Sequence, residues 1–427
     1  MKQLLILLYI IGISGALSAQ QKWTLSECIH YALEQNPSLL KMKGKRAQLQ
    51  IKHGSIKNQR LPAVEINSTQ RFDFGRSLNR ENVYQDVNSR ATAFNLNIEM
   101  PVFKGFQTKH ALKEAEFEAN ASEEEIQTRS EELRMQVINF FFRAMVYKEV
   151  ADIAEQQKQL TEDQLAKAHV RVSAGMAPKS LLPDIQTQLA EDELAIVEAK
   201  ANEENTLMEL ARIMSLRVDE NGFDIHFSET DHHRHGFTTN NRFSQMQSAK
   251  YHLQSLEAAY RKVRSGYFPS LSLGASTGSN YYHRNGMEND IFSKQMKNNL
   301  QSYVYATLHI PVFNRFAVRD NLRSMQTEIR NQQLTLREIE NELTAERHKA
   351  NANVRQATQK LTTAQTALES NIQSFNHATE RFNAGKISVY EYGQAKQKLA
   401  NAQSQVAQAK YDLLFKNALA EYYNRPN

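Results

Sequence analysis

The chain makes the same strand-to-helix switch twice. Asn97–Lys109 reads NIEMPVFKGFQTK, and Leu308–Asp320 reads LHIPVFNRFAVRD. In each, period-two alternation runs into Pro-Val-Phe and then gives way to a helical pattern. The prolines recur in register. Pro62 matches Pro269 at an offset of 207 residues, and Pro101 matches Pro311 at an offset of 210. An internal repeat of this length sets the architecture before any local assignment is made.

Four segments alternate as strands. The first sets Val64, Ile66, Phe72 and Phe74 against Glu65, Asn67, Thr69 and Arg71. The second sets Phe94, Leu96, Ile98, Met100 and Val102 against Asn95, Asn97 and Glu99. The third sets Leu271, Leu273 and Ala275 against Ser270, Ser272 and Ser276. The fourth sets Val304, Ala306, Leu308, Ile310 and Val312 against Tyr303, Tyr305, Thr307 and His309. They form two pairs, split by the polar stretches Arg76–Arg90 and His283–Asn299.

A long heptad helix follows each pair. Leu133, Val137, Phe140, Ala144, Tyr147, Ala151 and Ala154 step by four and three in the first copy. Ile339, Leu343, Glu346, Ala350, Val354, Ala357, Leu361, Ala364 and Leu368 do so in the second. Such spacing marks a coiled-coil seam. A helix from Gly105 to Ala174 would be about 105 Å long at about 1.5 Å per residue. The two helices stop at matching chemistry, RVSAGMAPKS and RFNAGKISVY, with Gly175 and Gly385 again 210 residues apart. Glycine supplies a left-handed cap there, and Ser or Pro restarts a helix.

The organisation expected is therefore two structural repeats. The first, 20–214, holds a helix, strands at about 62–75 and 91–103, a long helix at about 105–174 and a return helix at about 179–214. The second, 241–427, holds a helix, strands at about 269–282 and 302–313, a long helix at about 316–384 and a return helix at about 388–424. Residues 215–240 read as the linker between them.

At the extreme N-terminus, Lys2 precedes an apolar run from Leu4 to Ile13 and a small-residue end, Ser14 to Ala19. This reads as a secretory signal peptide, residues 1–19, with Leu17 an untypical −3 residue. Beyond it no apolar run approaches the ~20 residues of a spanning helix, in keeping with a mean hydropathy of −0.59. The single cysteine, Cys28, cannot form an intramolecular disulfide and reads as core packing. The net charge is +5. The densest basic stretch, Lys41 to Lys57, reads as a solvated helix face, so no nucleic acid is implied.

Strands with one apolar and one polar face suit a half-buried sheet or a barrel wall in a membrane. The flanking sequence supplies nothing to cover an apolar face. Strands of ~9–11 residues cross a bilayer when tilted. An open sheet edge is not viable in lipid, and about eight strands are the minimum for closure. Four strands per chain must therefore be completed by other copies, and three copies would bring twelve. Phe72, Phe74, Phe103, Phe268, Tyr281, Tyr282, Tyr303 and Phe313 at strand ends suit interfacial girdles, or else plain packing at strand termini.

Signal peptide, tandem halves, strand pairs ending in PVF, heptad helices and AG tips together resemble the TolC-like outer-membrane efflux proteins. Trp23–Leu39, WTLSECIHYALEQNPSL, is similar to that family's opening. The resemblance implies a mixed, mostly α fold: four transmembrane strands per chain in a trimeric 12-stranded β-barrel, continuing into a long α-helical coiled-coil periplasmic tunnel. It implies an outer-membrane location, contact with outer-membrane lipid, and a passive homotrimeric conduit without cofactor or catalysis. The partners implied are a periplasmic adaptor and an inner-membrane pump, proton-driven or ABC-type.

Family members often carry acidic residues six and nine positions after the second tip glycine, forming a ring at the periplasmic aperture. Here Glu391 fits and Gln394 departs. Glu391 reads either as that ring or as a helix-start glutamate favourable to the dipole. Some members close the tip with Tyr and Arg three before and two after the glycine; here those positions hold Phe382 and Ile387, so an apolar constriction is expected instead. Pro101, Phe103, Gly105, Pro311 and Phe313 would form the barrel–tunnel junction, with Gly105 easing a turn that Asn314-Arg315 makes in the second copy.

Two other classes, an enzyme and a soluble adaptor, are disfavoured by the residues. His232, His233 and His235 in DHHRHGF could ligate a metal, but adjacent histidines diverge and no acidic partner is spaced for catalysis. Gly274–Gly278, GASTG, has the G-x-S-x-G spacing but lies within the third alternating segment rather than at a strand-to-helix turn, and no P-loop or Cys-His pair of standard spacing is present. A soluble periplasmic coiled-coil adaptor would be expected to carry one helical hairpin, and this chain carries two.

Overall fold

The computed structural model describes residues 22–78, 82–218, 223–227 and 243–425. The signal peptide, the histidine tract and most of the linker lie outside them. Among the described residues no helix is long and apolar enough to cross a membrane.

The first copy begins with β1 (Lys22–Trp23), α1 (Leu25–Gln35) and α2 (Pro37–Asn58). Thr24 starts α1 with a capping box: its backbone N–H donates to Glu27 Oε2 at 2.8 Å, and its hydroxyl accepts from the Glu27 N–H. Asn36 ends that helix in an extended conformation, and Pro37 takes the first position of the next, where its missing N–H costs nothing. There follow β2 (Ala63–Asp73), the small ribbon β3 (Arg76–Leu78) and β4 (Tyr84–Asp86), then β5 (Ser89–Lys104). The long helix α3 (Gln107–Ser173) returns as α4 (Leu181–Met214).

After β6 (Asp224–Ile225) the second copy repeats the order: α5 (Ser244–Arg264), a 3-10 turn at Ser265–Tyr267, β7 (Ser270–Arg284), the short helix α6 (Phe292–Asn298) and β8 (Gln301–His309). Then come α7 (Ala317–Asn383) and α8 (Val389–Tyr423). Both long helices have 67 residues. The polar stretches between paired strands hold more structure than a loop reading anticipates: β3 and β4 in one, α6 in the other.

The strands form one antiparallel sheet in the order β2-β5-β7-β8. Alternation sorts its two faces. Glu65, Asn97, Ser276 and Tyr303 line up in register across one face. Neighbouring register sites carry Val64, Ile98, Ala275 and Val304 across the other. The polar face is knit by Ser276 Oγ donating to Asn97 Oδ1 at 2.7 Å. The apolar face is open: Ile66 is 76% and Val304 82% exposed.

The fourth strand is shorter than its alternation predicts. The pattern runs through Val312, but β8 ends at His309, paired with Ser270, the first residue of β7. Ile310 has no partner strand to continue on, and Pro311 has no N–H to donate.

The chain divides into two compact units that cut across the repeats. One comprises residues 44–124 and 247–337, holding the sheet and the helix segments next to it. The other comprises 1–43, 125–246 and 338–427. Its core gathers Leu25, Cys28, Leu133, Val137, Phe141, Leu210 and Ile225. Along α7, Leu343, Ala350, Ala357 and Ala364 are buried at every seventh position, as a heptad seam requires.

Candidate functional site: junctions and hairpin tips

Two places in each copy do something a plain strand or helix does not. One is the strand-to-helix junction. In the first copy, Pro101 and Phe103 lie inside β5, where the register to β7 shifts between them, a bulge that accommodates the proline. Gly105 and Phe106 then take successive left-handed conformations, φ +57° and +66°. In the second copy Pro311 and Phe313 lie beyond the end of β8, and Arg315 and Phe316 adopt the same pair of angles, +54° and +62°. The aromatic rings repeat as well. Phe103 meets Phe106 edge-to-face at 5.1 Å, and Phe313 meets Phe316 edge-to-face at 5.5 Å.

The second place is the hairpin tip. Gly175 and Gly385 both sit at φ +68°. Each closes a Schellman turn, with Met176 N donating to Arg171 O at 2.8 Å and Lys386 N to Arg381 O at 2.8 Å. The restarts differ. Ser180 precedes α4 in a helical conformation without a side-chain cap. Ser388 caps α8 fully: its N–H donates to Glu391 Oε2 at 2.9 Å, and its Oγ accepts from Glu391 N at 3.2 Å.

Glu391 and Gln394 are exposed on the first turns of α8. The Ser388 backbone and hydroxyl hydrogen bonds hold the Glu391 carboxyl below the ordinary carboxylate range. Phe382 and Ile387 do not face outward together. Phe382 is buried, stacked on Tyr392 at 4.8 Å, in a cluster with Ala168, Ile185, Phe375 and Leu399. Ile387 packs half-buried against the same cluster.

Sequence reasoning missed a charged group inside that hairpin region. Lys396 of α8 is 1% exposed. Its ammonium donates to Asp192 of α4 at 2.6 and 2.8 Å and to the Thr161 hydroxyl of α3. Thr161 in turn donates to Asp192. Burial pulls the lysine below its ordinary range, and the bond and charge of Asp192 work against that shift. A signal was present. Tyr392, Lys396 and Leu399 follow four-three spacing, so a lysine falls where an apolar residue belongs.

Nothing in these places resembles a catalytic constellation. They are turns, seams and open sheet edges. Comparison with known proteins gives the same picture. A family model described as outer membrane efflux protein matches residues 28–215 and 239–421. Among solved structures, the CmeC outer membrane channel of Campylobacter jejuni superposes with a TM-score of 0.77 at 16% identity, covering 93% of this chain and 85% of that one. CusC gives 0.75 at 14% identity over 96% of both chains. VceC of Vibrio cholerae gives 0.74 at 12%, covering 93% of this chain and 95% of that one. No curated protein sequence matches.

Proposed function

Because the chain belongs to the outer membrane efflux protein family, we propose that three copies close one barrel and one tunnel between them. The chain is an outer-membrane efflux channel protein, with a long helical portion in the periplasm. On that ground the soluble adaptor reading is set aside.

The observation carrying the trimer is the open sheet. β2 and β8 each leave one edge unpaired among the described residues. Backbone groups on such an edge find no partners in hydrocarbon. Four strands fall short of the practical minimum of about eight. The repeat even supplies the register of the missing pairing. Asn97 pairs with Ser276 inside the chain. Adding 210 to the first and subtracting 207 from the second sets Thr307 opposite Thr69 of the next copy. Three such seams close twelve strands.

In this reading the apolar face, with Ile66 and Val304, meets lipid, and the polar face lines the lumen. The heptad helices build the tunnel, and the tips dock a periplasmic adaptor coupled to an inner-membrane pump, proton-driven or ABC-type. Exposed Glu391 and Gln394 ring the aperture.

The test is a cross-link. Thr307→Cys with Thr69→Cys in one chain should give an oxidised ladder ending at the trimer in the outer-membrane fraction. Monomer alone, or recovery in the soluble periplasmic fraction, would sink the assembly. For the aperture, Glu391→Gln should lower cation selectivity in planar bilayers, and an unchanged reversal potential would count against the ring.

A further inference from the structure

The two ends of the four-stranded sheet carry different charge. At the β2–β5 and β7–β8 connections, acids and bases are mixed and partly paired: Arg71 with Asp73 at 3.1 Å and Lys294 with Asp290 at 2.7 Å. At the other end, α2, α3, α5 and α7 meet the strands. There Lys52–Pro62, Pro101–Lys113 and Ala258–Pro269 hold no acidic residue, and Ile310–Arg323 holds only Asp320.

Three cations at this end find carboxylates: Lys52 with Glu118 at 2.7 Å, Lys262 with Glu114 at 2.6 Å, and Arg319 with Asp320 at 2.9 Å. The rest are exposed with no acidic partner among the described residues. Lys57 and Arg60 lie at the end of α2, and Lys104, Lys109 and Lys113 around the start of α3. Arg261 and Arg264 lie at the end of α5, and Arg315 and Arg323 around the start of α7. All four junctions contribute. Their field is felt locally. The His110 imidazole is held below its ordinary range first by burial and then by the charges of Arg261, Lys109 and Lys113.

Exposed rings sit in the same segments. Phe106 is 54%, Phe268 46%, Phe313 71% and Phe316 52% exposed. The open apolar face of the sheet begins at the same level, with Val64 and Leu308 each 60% exposed. Cations, aromatic rings and an adjoining apolar band together are the chemistry of a membrane interface. A soluble polyanion would account for the cations but not for the rings or the band.

We propose that this collar binds the phosphate headgroups of anionic glycerophospholipids in the periplasm-facing leaflet. The inference rests on the barrel reading and deepens it by naming the lipid chemistry and the end of the barrel that selects it. The opposite end, with its charges mixed, has no such preference.

The test uses the purified full-length oligomer in neutral detergent, titrated with phosphatidylglycerol or phosphatidylcholine and read by native mass spectrometry. Phosphatidylglycerol should be retained preferentially, and high salt should abolish the preference. The variant Arg60→Gln/Lys104→Gln/Arg264→Gln/Arg315→Gln should lose it, with affinity falling about fivefold per cation removed. The control Arg76→Gln/Lys297→Gln, at the opposite end, should keep it. If the collar variant fails to assemble, the salt dependence of the wild type carries the test. Equal retention of both lipids, equal loss in the control, or competition by polyglutamate or inorganic phosphate would overturn the inference. An intact heat-resistant oligomer indifferent to lipid charge fails this inference alone. A chain that is monomeric and soluble without detergent fails the barrel, and the collar with it.

Discussion

The two strand-to-helix junctions trace one backbone path with different residues. Gly105-Phe106 and Arg315-Phe316 share two successive left-handed conformations, and each junction sets the same pair of phenylalanines edge-to-face. Their surroundings differ. Gly105 is buried beside the turn before β7, where an added Cβ would lie 2.8 Å from Ser265 O and 2.8 Å from Phe268 Cβ. Arg315 is exposed. The duplication thus preserves the turn, while the neighbours decide which side chain is allowed. Where β5 lies between β2 and β7 only glycine fits; where β8 is an edge, arginine bears the left-handed cost of about 1–2 kcal/mol.

The largest test of this divergence lies in the hairpins. Lys396 and Asp192 correspond, at 210 residues, to Gln186 and Ala402. Each copy has contributed one charge to a pair that neither could make alone. Lys396→Met should cost about 3–5 kcal/mol, because it leaves Asp192 buried without compensation. Lys396→Met with Asp192→Leu should recover most of that loss. Gln186→Met, at the exposed equivalent, should stay within about 0.5 kcal/mol of wild type. Denaturant unfolding followed by far-UV circular dichroism reads all three. A single variant no worse than the double would show that the pair is not a coupled unit.

Next in size is the junction itself. Gly105→Ala combines left-handed strain with a backbone clash and should cost about 2–4 kcal/mol. Arg315→Gly relieves strain without filling space and should gain up to about 1 kcal/mol. The dissociation temperature of the detergent-solubilised oligomer should move in opposite directions. Equal shifts in one direction would break the comparison.

What the sequence showed, and what it hid, follows the same division. PVF, the tip glycines and the heptads were legible because a backbone demand or a period writes them into local sequence. The end of β8 was not, because alternation through Val312 says nothing about where β7 begins. Nor was the burial of Phe382. Its place three residues before Gly385 suggests an exposed tip, and only the fold, which stacks it on Tyr392 and packs it with Ala168, Ile185 and Phe375, turns it inward. The Lys396–Asp192 pair joins residues 204 apart, so the lysine in the seam could be noticed but its partner could not. The collar was not legible either: its charges are interspersed along the sequence, and only the fold brings its four segments to one end of one sheet.

The helix restarts give a smaller contrast. Ser388→Ala removes a capping hydroxyl and should cost about 1 kcal/mol. Ser180→Ala removes none and should lie near zero, since Ser180 makes no side-chain cap bond. Similar losses at both positions in the same unfolding assay would show that the two tips are equivalent after all.

The smallest effect is the most discriminating, because its sign separates two roles for Glu391. As a cap, its folded pKa lies below the ordinary 4.5, held there by hydrogen bonds from Ser388. A lowered carboxyl contributes stability that is complete above its unfolded pKa and lost as pH falls through the folded value. For a cap, the stability advantage of wild type over Glu391→Gln would therefore shrink on acidification below pH 4.5. Glu27, which makes the same box with Thr24, titrates in both proteins and cancels in the difference. In the first copy the equivalent position is Leu181, which carries no titratable group. Three Glu391 carboxylates crowded into a ring would behave oppositely. Mutual repulsion raises their pKa, and acid would then stabilise the closed oligomer relative to the Gln variant. A difference curve that falls below pH 4.5 assigns Glu391 to the cap; one that rises assigns it to the aperture.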